Sequence, residues 1–345
     1  MSTKLSTVLV LGDPQPGAPW LEPPFGVLEL ERHGFVVVNP RRRASGLLKR
    51  VRDVIEHRTN MLVEDTVRGV GVRADWVLAL LDNNANLVLL LKKWGLPPYR
   101  ARRLAVLVCW ATERLQRMAP HERQNQVERL NSADVLFVLS SNQIPLLESF
   151  GVAPGKTHFI PLGVEMSYFN PGPAPWEERC GVVAIGQDEG RDYQTMFEAL
   201  EGTDLQVDLY CAGWNLEGLE LPAQVTWRGT VPRDEYREIL RRSKAVIVPT
   251  REFAYPTGQS VALEASAAGA LVLSTSTTAL KEYFEHGVTA LLSKPLDPDG
   301  LRQNLLTLLE DEDRCREIAT RGQERCRERF TPQAMWSAAA RHLTS

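Results

Sequence analysis

The feature that most constrains the fold is an alternation that the chain runs through twice. Short β-branched apolar runs alternate with amphipathic stretches. "STVLVLG" ends in Gly12 and reads as a buried strand by length and β-branching. "FGVLELERHG" reads as a helix closed by Gly34, and "FVVVNP" as a strand stopped by Pro40. "SGLLKRVRDVIEHR" places Leu47, Leu48, Val51, Val54 and Ile55 on one helical face. "ADWVLALLD", "RLAVLVCW" and "ADVLFVLSS" read as further strands, followed by a helix "NQIPLLESFG" and a strand "THFIPLG". Residues 165–179, "EMSYFNPGPAPWEER", break the rhythm with three prolines and a glycine. The alternation then restarts. "CGVVAIG", "LQVDLYCAG", "QVTWRG" and "KAVIVPT" read as strands, "RDYQTMFEALEG" and "RDEYREILRRS" as helices. Charged helices follow from Gly300 onward.

Such a pattern predicts parallel strands joined by crossover helices, an α/β doubly wound architecture. Two rounds of it predict two Rossmann-like domains facing across a cleft. The expected boundaries are 1–165 for the first domain, 166–179 for a linker and 180–330 for the second. A last helix, 331–345, is expected to return towards the first domain. A chain of 345 residues is too long for one ordinary core, which agrees with two.

Composition narrows the class. Hydrophobic residues are 43% and charged residues 24%, ordinary values for a globular protein. No apolar run approaches a membrane span, and "MSTKLSTVLV" enters a strand without a leader pattern, so the expected setting is cytoplasmic. Five cysteines form no CxxC and no Cys/His cluster, so free thiols are expected and a structural metal is not. Residues 1–170 carry 21 Lys and Arg against 16 Asp and Glu, whereas 171–345 carry 19 against 27. A basic half beside an acidic half speaks for domains with different partners and against a nucleic-acid binder. The basic stretches "RRRASGLLKRVR" and "YRARR" either lie against an anionic membrane or acidic acceptor, or are solvated helix faces.

Open α/β sheets bind ligands outside the carboxyl ends of their strands. In the second half these ends fall at Gly186, Gly213, Gly229, Thr250 and Thr275. Arg191, in "GQDEGRDY", sits just before a helix, where a phosphate would meet free N–H groups and a guanidinium. The other reading pairs Arg191 with Asp188 or Asp192. "TGQSVALEASAAG" places Gly258, Gln259 and Ser260 at a helix N-terminus that favours an anion. Glu264, about one turn further in among alanines, is either a partly exposed helix residue or a carboxylate that accepts hydrogen bonds from vicinal hydroxyls.

At this point the sequence resembles retaining glycosyltransferases of the family-4 type, which have the GT-B fold. "HFIPLGVEMSYFNP" is similar to that family's interdomain motif. "VTWRGTVPRDEYREILRRSKAVIVPT", "LEASAAGALVLSTSTTALKEYFEHGVTALL" and "CRERFTPQAMWSAAARHL" resemble its second-domain and closing segments. The resemblance implies transfer of a sugar from a nucleotide diphosphate sugar to an acceptor hydroxyl with retention, without a metal or other cofactor. It implies that Glu264 binds the nucleotide ribose. Gly186, Gly229, Val231, Arg251, Thr257, Gly258, Gln259 and Ser260 are expected to line the donor site. Arg191 and Glu264 are expected to carry catalysis by holding the leaving diphosphate and the nucleotide. Gly17 in the glycine-containing loop "GDPQPGAPW", with Trp110 and Thr112, is expected on the acceptor side. Two departures stand out. Pro256 occupies the position of the family's first Glu, in a "TGQS" variant of the loop, and Gln187 stands where Arg is usual. A catalytically weak GT-B protein that binds a nucleotide sugar or a partner, or an epimerase or hydrolase of the same fold, are the alternatives.

Overall fold

A computed structural model of the chain describes residues 5–12, 24–39, 44–59, 61–170, 172 and 175–344. The chain divides into two compact units, Met1–Gly163 with Pro332–Ser345, and Val164–Thr331.

In the first unit the strands are β1 (Ser6–Leu11), β2 (Phe35–Val38), β3 (Trp76–Ala79), β4 (Arg103–Val108), β5 (Val135–Val138) and β6 (Thr157–Phe159). All pairings are parallel, in the order β2-β1-β3-β4-β5-β6. Helices α1 (Gly46–Thr59), α2 (Val63–Gly69), α3 (Asp82–Lys93), α4 (Ala111–Arg117), α5 (Pro120–Asn131) and α6 (Gln143–Ser149) connect them. Strands buried on both faces should read as unbroken apolar runs, and β3 and β5 are buried at every residue.

The second unit holds β7 (Val182–Ile185), β8 (Val207–Tyr210), β9 (Val225–Trp227), β10 (Ala245–Val248), β11 (Leu271–Thr275) and β12 (Leu291–Ser293). These too are parallel, ordered β12-β11-β10-β7-β8-β9. Its helices are α7 (Met166–Phe169), α8 (Tyr193–Leu200), α9 (Arg233–Arg242), α10 (Gln259–Ala267), α11 (Pro298–Glu310) and α12 (Glu312–Arg329). Helix starts follow local chemistry. Asp192, Asp297 and Asp311 each accept a hydrogen bond from a backbone N–H three residues on, capping α8, α11 and α12. Both sheets are doubly wound, as the alternation predicts. Chain direction across the sheet reverses between β1 and β3 in the first unit and between β7 and β10 in the second.

Two sequence expectations differ from what is observed, those for "FGVLELERHG" and for residues 166–179. "FGVLELERHG" forms a 3-10 segment, Pro24–His33, rather than an α-helix. Helix α13 (Pro332–Leu343) packs on that segment within the first unit, with His33 Nε2 2.9 Å from Ser337 Oγ. The stretch expected as a linker lies inside the second unit. Tyr168, Phe169 and Trp176 are buried there, and Trp176 Nε1 donates to Glu312 at 2.9 Å. Aromatic burial outweighs the proline punctuation.

Candidate functional site

The carboxyl ends of β7 and β10 flank the switch point of the second sheet, and both run into loops that cross each other. Asp192 N donates to Pro249 O at 3.0 Å and Arg251 N to Gly190 O at 2.8 Å, so Arg191 and Thr250 form a local antiparallel bridge. This bridge turns the Arg191 side chain back over the end of β7. Gly186, at φ 139°, leaves room for it: a Cβ there would overlap the guanidinium. On the other side Gly258, at φ 79°, comes equally close. A Cβ on Gly258 would lie 2.8 Å from Arg191 Nη1 and 2.7 Å from Val248 Cγ1.

Arg191 is 6% exposed, and its Nε and Nη1 are buried without a hydrogen-bond partner. Thr250, beside it, is fully buried, and its Oγ1 also lacks a partner. A buried guanidinium without an acceptor is costly unless something supplies one. The pairing with Asp188 or Asp192 that the sequence leaves open is not made. Asp188 accepts from Gly190 N at 2.9 Å, from Tyr255 Oη at 2.8 Å and from Thr257 Oγ1. Asp192 accepts from Thr195 Oγ1 at 2.7 Å. Asp188 therefore pins the 255–257 loop against the 186–190 loop, and Arg191 is left facing the start of α10. Gly258 is the N-cap of that helix, in the left-handed conformation, and no side chain caps it. First-turn N–H groups and an unpartnered cation at one spot form an anion-binding arrangement.

Glu264 is neither exposed nor alone on α10. Arg233 Nη2 lies 2.5 Å from its Oε1, and Tyr236 Oη donates to Oε2. Both partners come from α9, at adjacent turns of one face. Burial pushes the Tyr236 hydroxyl well above its ordinary pKa, and Glu264 adds to the rise. For Arg233 burial works against the charge, yet Glu264 and Tyr236 outweigh it and raise the pKa. Arg191 acts the other way on Tyr236, so one electrostatic field spans Arg191, Arg233 and Glu264. Sequence reading misses Arg233 and Tyr236. Their signal is an Arg and a Tyr three residues apart directly after Pro232, a spacing that places them on one helix face.

Of the other expected donor-site residues, Thr257 and Gln259 are buried around Gly258, whereas Arg251 and Ser260 are exposed. Gly229 and Val231 follow the edge strand β9 and lead into α9. On the acceptor side, Gly17 lies outside the described residues. Trp110 is half-buried at the start of α4. Thr112 is fully buried and accepts from Gln143 Nε2 at 3.1 Å, an interior role.

A cavity of ~620 Å³ lies elsewhere in the second unit, at the amino ends of β7 and β11, lined by Trp176, Arg179, Gly269, Arg316, Gln323 and Arg327. Its buried Arg179 donates to Ala268 O at 2.5 Å and Ser243 O at 3.3 Å, and burial pushes its pKa down to about 10. Gln323 Nε2 donates to Ala267 O at 2.9 Å. These groups close helix C-termini, in line with the helix dipole. Among the described residues no cluster of His, Cys, Asp or Glu could hold a metal ion.

Residues 191–340 match the family model described as glycosyl transferase-like. No curated protein matches the chain at a significant level. Among solved structures, Anabaena HepE in complex with UDP-glucose is 16% identical, with 99% of this chain and 100% of that chain covered and a TM-score of 0.71. Sucrose-phosphate synthase from Thermosynechococcus elongatus is 16% identical over 99% of this chain and 98% of that one, with a TM-score of 0.71. The E. coli trehalose-6-phosphate protein bound with UDP-2-fluoro glucose is 13% identical over 98% and 99%, with a TM-score of 0.72. The likeness to these structures shows the GT-B fold, and the family-model match falls on the second unit and helix α13. The matched segment begins at Arg191 and takes in α9 and α10, the elements that build the site.

Proposed function

We propose that the chain transfers a sugar from a nucleoside diphosphate sugar to an acceptor hydroxyl with retention at the anomeric carbon. The observation that carries this reading is Arg191, a buried guanidinium with unpartnered nitrogens at the switch point, facing the uncapped start of α10. A diphosphate supplies the acceptors that this spot lacks. The UDP and UDP-glucose complexes of HepE make UDP-glucose the first donor to test.

In the proposed reaction the bond between the anomeric carbon and the diphosphate oxygen breaks, and its electron pair leaves with the diphosphate. Arg191 and the first-turn N–H groups of α10 take up that developing charge. The acceptor oxygen bonds to the anomeric carbon on the same face, and its proton passes to the departing phosphate oxygen. No protein base is needed. Glu264 accepts from the ribose hydroxyls while Arg233 and Tyr236 hold its carboxylate in place, since each carboxylate oxygen keeps a further lone pair. Arg191 and the first turn of α10 serve the phosphates, so the reading expects no divalent metal.

The test is UDP release from UDP-glucose, measured with and without a panel of hydroxyl acceptors and repeated in EDTA. Acceptor-dependent release that EDTA leaves unchanged supports the reading. Release at the same rate without any acceptor would make the chain a hydrolase, and activity restored only by magnesium or manganese would remove the metal-free part.

A further inference from the structure

Helix α1 is mounted with its polar side inward. A helix of a globular domain normally turns its apolar stripe to the core. In α1 the half-buried side chains are Arg52 and Glu56, and no residue of the helix is fully buried. Arg52 Nη1 pairs with Glu64 at 2.7 Å, and Glu56 accepts from Val63 N at 2.9 Å and Glu64 N at 3.1 Å. These contacts fasten the polar side of α1 to the start of α2. On the opposite side Leu47, Leu48, Val51, Val54 and Ile55 are 42–75% exposed. Leu47, Val51 and Ile55 form one row at intervals of four, and Arg50, Val54 and Arg58 form the next.

We propose that this face docks on an anionic lipid bilayer. Isolated exposed leucines need no explanation, but five apolar residues on one helix face of a charged protein do. Charge selects the occupant. The acidic side chains of α1 are engaged, Asp53 with Arg52 at 2.9 Å and Glu56 at the start of α2. Lys49, Arg50 and Arg58 have no acidic partner among the described residues. An apolar face edged by arginines gains both from insertion at the headgroup level and from anionic lipid. A second copy of the chain fits worse, because pairing two such faces brings Arg50 and Arg58 against like charge. Among the described residues no helix is long and apolar enough to cross a membrane, so the contact is peripheral.

The experiment is co-sedimentation of the full chain with vesicles of phosphatidylcholine alone and of phosphatidylcholine mixed with phosphatidylglycerol. The chain should bind the mixed vesicles, bind the neutral ones weakly, and lose binding as salt is raised. Leu48→Glu, Val51→Glu and Ile55→Glu together should cut binding at least about tenfold without lowering the melting temperature, because the face is not packed. Arg50→Glu with Arg58→Glu should do the same through charge alone, and decides the matter if the triple variant fails to fold. Absence of binding to the mixed vesicles, equal binding to both kinds, or binding unchanged in the charge variant would overturn the proposal. A dimer in light scattering that the triple variant dissociates would overturn it in favour of a second copy.

Discussion

The two units carry the same architecture, and the carboxyl ends of their strands treat polar groups in opposite ways. In the first unit Asp82 opens α3 beside the end of β3, 1% exposed, directly after Leu81 at φ 73°. It accepts from Cys109 N at 3.0 Å and Trp110 N at 3.1 Å and pairs with Arg114. Nearby, Gln143 donates to Cys109 O at 3.2 Å and to Thr112, and accepts from Ser140 at 3.2 Å. Among the described residues that crevice is closed on itself. In the second unit Arg191 and Thr250 Oγ1 are buried without acceptor or donor. A satisfied network holds a fold, while an unsatisfied one awaits a ligand. Loss of the central residue should therefore cost stability in one unit and function in the other.

The largest contrast is expected from that pair of substitutions. Arg191→Ala should lower kcat by about a hundredfold or more, the range for loss of one donor to a developing negative charge, with a smaller change in KM. Its melting temperature should hold or rise, since an unpartnered buried charge is removed. Arg191→Lys should recover part of kcat, because a point charge does not reproduce the guanidinium fork. Steady-state kinetics and a melt on the same variants decide; a destabilised Arg191→Ala with normal kcat would make Arg191 structural and erase the contrast. Asp82→Ala should instead cost about 2–4 kcal/mol in denaturant unfolding, a discount on a fully buried pair because Arg114 is 35% exposed. Its nucleotide affinity should be unchanged. Stability close to wild type would show that the first crevice is not closed in this sense.

Glu264→Ala should weaken nucleoside diphosphate binding by about 1.5–3 kcal/mol, the value of a charge-assisted hydrogen bond. It should also lower stability, since Arg233 and Tyr236 lose their acceptor. Glu264→Gln keeps an acceptor for Tyr236 and separates the two effects by calorimetry and melting. An unchanged affinity in a folded Glu264→Ala protein would remove the ribose assignment.

The smallest effect is on pH dependence and belongs to the first unit. His158 and His342 stack with ring centroids 3.7 Å apart. Burial depresses both pKa values, and the facing imidazole and Arg341 add to the drop at His342. A histidine whose folded pKa lies below the unfolded value near 6.5 takes up its proton more readily in the unfolded chain. Stability is therefore full above about pH 6.5 and falls as pH drops from there towards the folded values. His342→Phe keeps a ring and should flatten the melting temperature between about pH 5 and 7; a slope equal to wild type would place the acid sensitivity elsewhere.

Much of the fold is legible because strand length and β-branching are local signals. Runs such as "KAVIVPT" and "CGVVAIG" announce β10 and β7, and Gly258 announces the start of α10. The partners of Glu264 are not legible. Arg233 is 31 residues away, and only the packing of α9 on α10 joins them. Arg191 is visible in the sequence as a cation, but its lack of a partner depends on where Asp188 and Asp192 spend their oxygens. The apolar face of α1 shows the same limit. Periodicity says which residues share a face, not which face is packed. The burial of Thr112 is equally hidden in the sequence, since its hydroxyl accepts from Gln143 on another helix.

The central claim, that Arg191 waits for a diphosphate, is tested most directly by calorimetric titration of UDP and of uridine into the wild-type chain and Arg191→Met. Wild type should prefer UDP to uridine by at least about tenfold, as one charge-assisted contact implies. Arg191→Met should keep its uridine affinity and lose most of that preference. A preference for UDP that survives intact in Arg191→Met would contradict the claim.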